Sequence, residues 1–192
     1  MATTNTSASR GRTGTPFTGK GVPGPLATPS ALGAEAIEKV SRTINALLAD
    51  SFALYVKTKN FHWHLSGPRF HDLHLLFDEQ AAEILASTDE LAERVRRVGG
   101  TTLRSITHIS RLQRLPDDED DVVPALEMVR RLMEDNSAML ASMREAHRIC
   151  DQAGDIGTVN LLEDLIDQTE KRVWFLFEIC QEEDMVSIEP KA

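Results

Sequence analysis

The chain has 192 residues, 41% of them hydrophobic and 27% charged, with a formal net charge of -9. That length suits one domain plus a tail, and the charge argues against a folded body built to bind polyanions while remaining compatible with collecting cations. No apolar run approaches membrane-spanning length and no hydrophobic signal core opens the chain, so no membrane partner is expected and a cytoplasmic location is the default.

Residues 1–30 form a segment of their own, dominated by Ser, Thr, Gly and Pro, with Arg10, Arg12 and Lys20 as its charges and no acid before Glu35. Such a segment cannot offset its ordering entropy by burial, so a flexible basic tail is expected. It serves either as a solubilising tail or as a DNA-binding arm. By contrast, residues 31–192 hold 18 basic and 30 acidic side chains.

A first helix is expected from about Ser30–Ala34 to Leu65, with Ser30 as N-cap and Ile37, Val40, Ile44, Leu47, Leu48, Leu54 and Phe61 recurring on one face. Gly67-Pro68 ends it. A second helix follows from about Arg69 to Val98, with Gly99-Gly100 as a left-handed C-cap. Arg94, Arg96 and Arg97 complement the dipole of its last turn.

Four of the six histidines fall within residues 61–74, where these two helices meet. On the second helix His74 and Asp78 are spaced i, i+4, as are Asp89 and Glu93, so each pair shares one face. Asp78 and Asp89 differ by only roughly 20° around the axis, yet the pair centres lie about 22 Å apart along it. Metal–ligand distances are roughly 2.0–2.3 Å, so the two pairs cannot hold one ion within one chain. A second copy laid antiparallel about a two-fold axis near Glu83–Ile84 brings them together and generates two equivalent sites. His62 folds back across the break to add an imidazole. Nitrogen with hard oxygen donors suits iron, manganese or zinc.

Leu103, Ile106, Ile109 and Leu112 predict a short amphipathic helix inside the connection 101–121. The acids Asp117 to Asp121 lack the spacing of a calcium loop and read as favourable charges before a helix N-terminus. A third helix is expected over about Val122–Cys150, with Leu126, Val129, Leu132, Met133, Leu140 and Met143 inward. A polar turn from Asp151 to Gly157 precedes a fourth, whose core is Leu161, Leu162, Leu165, Ile166, Val173, Leu176, Phe177 and Ile179. His108 and His147 read as structural. Cys150 and Cys180 read as reduced, buried thiols.

The run Lys59-Asn60-Phe61-His62-Trp63, then Gly67, Phe70, Leu73-His74, Phe77-Asp78, Asp89-Glu90-Leu91-Ala92-Glu93-Arg94 and Gly99-Gly100, resembles the Dps family of miniferritins. The resemblance implies an all-α, ferritin-like four-helix bundle over residues 31–186, a short C-terminal tail over 187–192, and a hollow homododecamer. It implies intersubunit ferroxidase sites in which His62, His74 and Asp78 of one subunit face Asp89 and Glu93 of its neighbour. Iron is then the metal, hydrogen peroxide the usual oxidant, and ferric mineral the product stored. DNA is the further partner in relatives whose basic tails bind it, which would make Arg10, Arg12 and Lys20 its contacts and the nucleoid its place. Trp63 is a candidate radical or electron relay, and equally an interface anchor. Asp151, Asp155, Glu163 and Asp167 are candidates for an acidic three-fold pore, with Asn160 standing where relatives can carry an acid. Trp174-Phe175 resembles an aromatic pair of the family. His64 departs from the asparagine frequent in relatives and reads as an exposed polar substitution. An ordinary ferritin centre inside the bundle needs Glu-x-x-His motifs, and no Glu here has His three residues later.

Overall fold

Residues 24–181 are described in the computed structural model; the tail with Arg10, Arg12 and Lys20, and the segment 187–192, lie outside them. After a short 3₁₀ turn at Gly24–Leu26 come α1 (Ala34–His64), α2 (Phe70–Arg97), α3 (Ile106–Leu112), α4 (Ala125–Gln152) and α5 (Ile156–Cys180), with no strand among the described residues. Short connections fold α1 with α2 and α4 with α5 as antiparallel pairs, α1 packs on α4, and α3 lies along α1. This is the expected four-helix bundle with a short extra helix.

The apolar stripes meet in two layers. Val40, Ile44, Leu47, Leu91, Val95, Met139, Met143 and Leu162 fill one end. Leu54, Phe61, Phe77, Ile84, Val129, Leu132 and Leu176 fill the other. Burying such side chains is worth roughly 1.5–3 kcal/mol each, so these stripes hold the bundle.

Helix ends follow local chemistry, and several differ from expectation. Gly33, not Ser30, is the N-cap of α1; the Ser30 hydroxyl instead accepts from Leu32 N at 3.2 Å in the preceding turn. α4 starts at Ala125, because Pro124 disfavours helical backbone in the residue before it and its own φ of -60° and ψ of 145° suit an N-cap. α5 begins inside the expected turn, at Ile156. There Asp155 caps it, and Gly157 lies inside the helix, where the Arg94 guanidinium is 2.8 Å from the position a Cβ would take. Gly99, at φ +95°, ends α2 as expected, its N–H donating to Arg96 O and that of Gly100 to Val95 O.

Core assignments shift too. Met128 and Met139 are buried on α4, whereas Leu126, Met133 and Leu140 are only half-buried. Phe177, expected inside, faces outward at 46% exposure, and Ile106 at the start of the short helix is 79% exposed. Asp50 anchors the connection: it is buried and accepts from the Arg114 backbone at 2.6 Å and from Arg114 Nε at 2.9 Å.

Candidate metal centre

The break at Gly67, whose φ of +106° demands glycine, folds the start of α2 back onto the end of α1. His62 and His74 then meet, their rings stacked with centroids 3.8 Å apart. Phe70 stacks on the other side of His74 at 4.9 Å. Each imidazole donates through Nδ1 to the other residue's backbone carbonyl, His62 to His74 O at 2.9 Å and His74 to His62 O at 3.0 Å. A carbonyl only accepts, so Nδ1 carries a proton and Nε2 is the nitrogen left to coordinate a metal. Such a hydrogen bond on the far nitrogen is how metal-binding histidines are oriented.

Asp78 completes this half. His62 Nε2 is 3.9 Å from Asp78 Oδ1, less than the roughly 4.2 Å that two donors on opposite sides of one ion would span. Lys59, a residue that ligand spacing does not single out, donates to Asp78 Oδ1 at 2.7 Å. That hydrogen bond, with the ammonium charge, holds the Asp78 carboxyl below the ordinary carboxylate range. The signal for Lys59 was its place four residues before Trp63 on one helix face. Its Nζ lies 5.7 Å from the Trp63 ring, and Trp63 is 63% exposed. His64 is also exposed, donating from Nδ1 to Asn60 O at 2.9 Å.

Asp89 and Glu93 are not brought to this half-site within the chain. Both are exposed further along α2, where Glu93 lies 3.8 Å from Arg97. Between the acid pairs, Leu75 and Leu85 on the same broad face are 55% and 41% exposed, and Ala82 is exposed too. No group of three or more His, Cys, Asp or Glu side chains is placed to hold a metal within one chain, among the described residues.

The bundle interior is occupied by cations instead. Buried Lys57 pairs with Asp135 at 2.6 Å. Arg172, also buried, donates to Asn136 Oδ1 at 3.0 Å and Thr169 Oγ1 at 2.7 Å and lies 3.4 Å from Glu83. An ion placed there would meet two positive charges in a poorly screened environment.

The four pore candidates separate. Asp155 is a correction: at 4% exposure it caps α5 by accepting from Thr158 N at 3.2 Å, and it pairs with Arg94, so it does not face solvent. Asp151, Glu163 and Asp167 are exposed. Glu163 and Asp167 line a surface groove of about 350 Å3 that also holds Arg144 and His147, with His147 Nε2 at 3.2 Å from Glu163. His147 thus has an acid on the neighbouring helix, invisible to spacing along its own. The Asp118 and Asp120 carboxylates are held by Arg131 at 2.8 and 2.7 Å, in keeping with a structural role for that acidic run. Cys150 is buried and Cys180 half-buried, neither in a disulfide.

A model of the ferritin-like domain matches residues 42–186. The chain is 33% identical over 146 residues to DNA protection during starvation protein 1 of Deinococcus radiodurans, covering 76% of this chain and 70% of that protein. It superposes on Dps from Thermosynechococcus elongatus with a TM-score of 0.73 at 30% identity, covering 76% of this chain and 92% of that one. For a Vibrio cholerae O1 Dps protein, described as a member of a broad superfamily of ferritin-like diiron-carboxylate proteins, the values are 0.74, 27%, 79% and 96%.

Proposed function

The chain belongs to the Dps branch of the ferritin-like proteins, and from that membership we propose that it oxidises and stores iron at sites shared between two subunits. Ferrous iron is the substrate, bound by His62, His74 and Asp78 of one subunit and by Asp89 and Glu93 of its partner. Hydrogen peroxide is the oxidant: it accepts one electron from each of two ferrous ions and leaves as water, so no hydroxyl radical escapes to damage DNA. The oxidised iron collects as ferric mineral inside a shell of identical subunits.

The observation that carries this reading is the reciprocal bonding of His62 and His74, which turns Nε2 of both stacked rings away from the backbone, that of His62 lying 3.9 Å from Asp78. Two imidazoles and one carboxylate form an incomplete set for an oxidisable ion. The second subunit supplies two more carboxylates, which neutralise the charge that oxidation adds. Leu75, Ala82 and Leu85 supply the apolar surface for that pairing, and a two-fold contact through α2 makes the same patch serve both partners. In this reading Trp63, exposed and adjacent in sequence to His62, gives up an electron when an oxidant arrives with a single ferrous ion. Asp151, Glu163 and Asp167 remain the pore candidates.

The test is anaerobic ferrous titration followed by peroxide addition, with the particle mass measured on the same sample. Two-electron peroxide consumption by a multimeric particle is expected. A monomer with undiminished ferrous binding would overturn the shared site.

A further inference from the structure

Phe70 stands outside the core of the bundle. It packs in neither apolar layer and is 45% exposed, although it opens α2 only one turn before His74. What it touches is that histidine. At a spacing of four residues the two share a helix face, and their rings stack with centroids 4.9 Å apart and planes 24° from parallel. His62 covers the opposite face of the same imidazole, at 3.8 Å and 19°. His62 is itself buried, so the core fixes one wall of this sandwich and Phe70 forms the other.

We propose that Phe70 is a positioning residue for the metal: its ring closes the open side of His74 and so holds Nε2 of that histidine in the direction of the ion. The role rests on the shared site proposed above and deepens it. The hydrogen bond from His74 Nδ1 to His62 O, at 3.0 Å, pins one atom of the ring. One pinned atom leaves the plane free to tilt about it, and Nε2, across the ring, moves with that tilt. A metal–nitrogen bond of roughly 2.0–2.1 Å tolerates little such motion. With a ring against each face, the tilt is stopped in both directions. A flat partner does this better than a branched aliphatic side chain, because aromatic stacking sets the angle between planes as well as their separation. The Gly67 turn makes the arrangement available: Phe70 N–H donates to Gly67 O at 3.1 Å, which starts α2 where this ring stands over His74. Nothing in the role depends on exposure, and a second subunit covering this end of α2 would confine the stack further.

The experiment titrates the full chain, F70L, F70Y and H74A, each as the assembled particle, with Zn2+ by calorimetry, and records the visible spectrum of each loaded with Co2+. F70L should lose about five- to tenfold in Zn2+ affinity, the factor that one aromatic pair supplies, and F70Y should bind as the parent does. The Co2+ band follows ligand geometry, so it should shift in F70L and match the parent in F70Y. Particle mass and melting temperature should be unchanged in both, since Phe70 supports neither apolar layer. Parental Zn2+ affinity with a parental Co2+ spectrum in F70L would overturn the proposal, as would equal losses in F70L and F70Y. A fall in the melting temperature or particle mass of F70L alongside its affinity would reduce Phe70 to packing and overturn it equally. H74A keeps two failures apart. Parental affinity in F70L beside a large loss in H74A removes the role of Phe70 alone, whereas parental affinity in H74A removes the shared site and this inference with it.

Discussion

Lys59 Nζ lies 2.7 Å from Asp78 Oδ1, so the carboxylate assigned to the metal already holds a cation. Asp78 is well exposed, so water and salt screen much of this attraction. A ferrous ion must displace this ammonium or bind beside it. Lys59→Met should therefore tighten binding of redox-silent Zn2+ by no more than about a few-fold, since a screened pair competes weakly with a divalent ion. Calorimetric titration of the assembled protein reads it. Weaker binding in the variant would mean that Lys59 serves to hold Asp78 in place for the ion.

Asp155 was a pore candidate by its acidity and its place before a helix, and its burial changes what its removal should do. Asp155→Ala removes the α5 cap and leaves the Arg94 guanidinium without its carboxylate. Breaking a buried pair from one side costs about 3–5 kcal/mol. Denaturant unfolding should show a loss of that order, with the rate of iron entry into intact particles unchanged. A stable variant with slowed iron entry would restore Asp155 to the pore.

The placement of these residues was legible because helix geometry constrains spacing: His62, His74 and Asp78 lie near one another, and Asp89 and Glu93 stay apart from them within the chain, while their role as ligands remains the proposal. The bundle was legible from apolar period, as was the α2 stop at Gly99. What escaped were pairings between remote elements. Lys57–Asp135, Arg172–Asn136 and Arg94–Asp155 join residues far apart in sequence, and no local pattern marks such partners. Phe177 misled for the opposite reason: periodicity counts an apolar side chain as core even where the folded subunit leaves it outside.

Cys150 supplies a prediction about pH. Burial, aided by the Asp155 charge, pushes its thiol from 9.0 up to about 12. A raised value means that the folded state keeps the proton after the unfolded chain has lost it. The contribution is full below pH 9, declines as pH rises, and is gone above 12. Cys150→Ala should thus show a shallower loss of stability across that window than the parent, measured by denaturant midpoints at successive pH values. Parallel curves for the two proteins would contradict the assignment.

Shared ligation makes a prediction that no single-chain site can imitate. Asp89→Ala should abolish tight ferrous binding while leaving the helical bundle and its melting intact, since Asp89 is exposed and caps nothing. Asp78→Ala should do the same. Co-assembled, however, the two variants should recover. In a mixed dimer one site combines both defects, while the other joins the intact His62-His74-Asp78 half of one chain to the intact Asp89-Glu93 half of its partner. Random pairing makes half the dimers mixed, so about a quarter of the wild-type sites should return. Peroxide-driven iron oxidation by particles refolded from an equal mixture measures the recovery, with each variant refolded alone as the blank. Activity no higher than the blanks would place every ligand within one chain, and α2 would then have no need of a second copy.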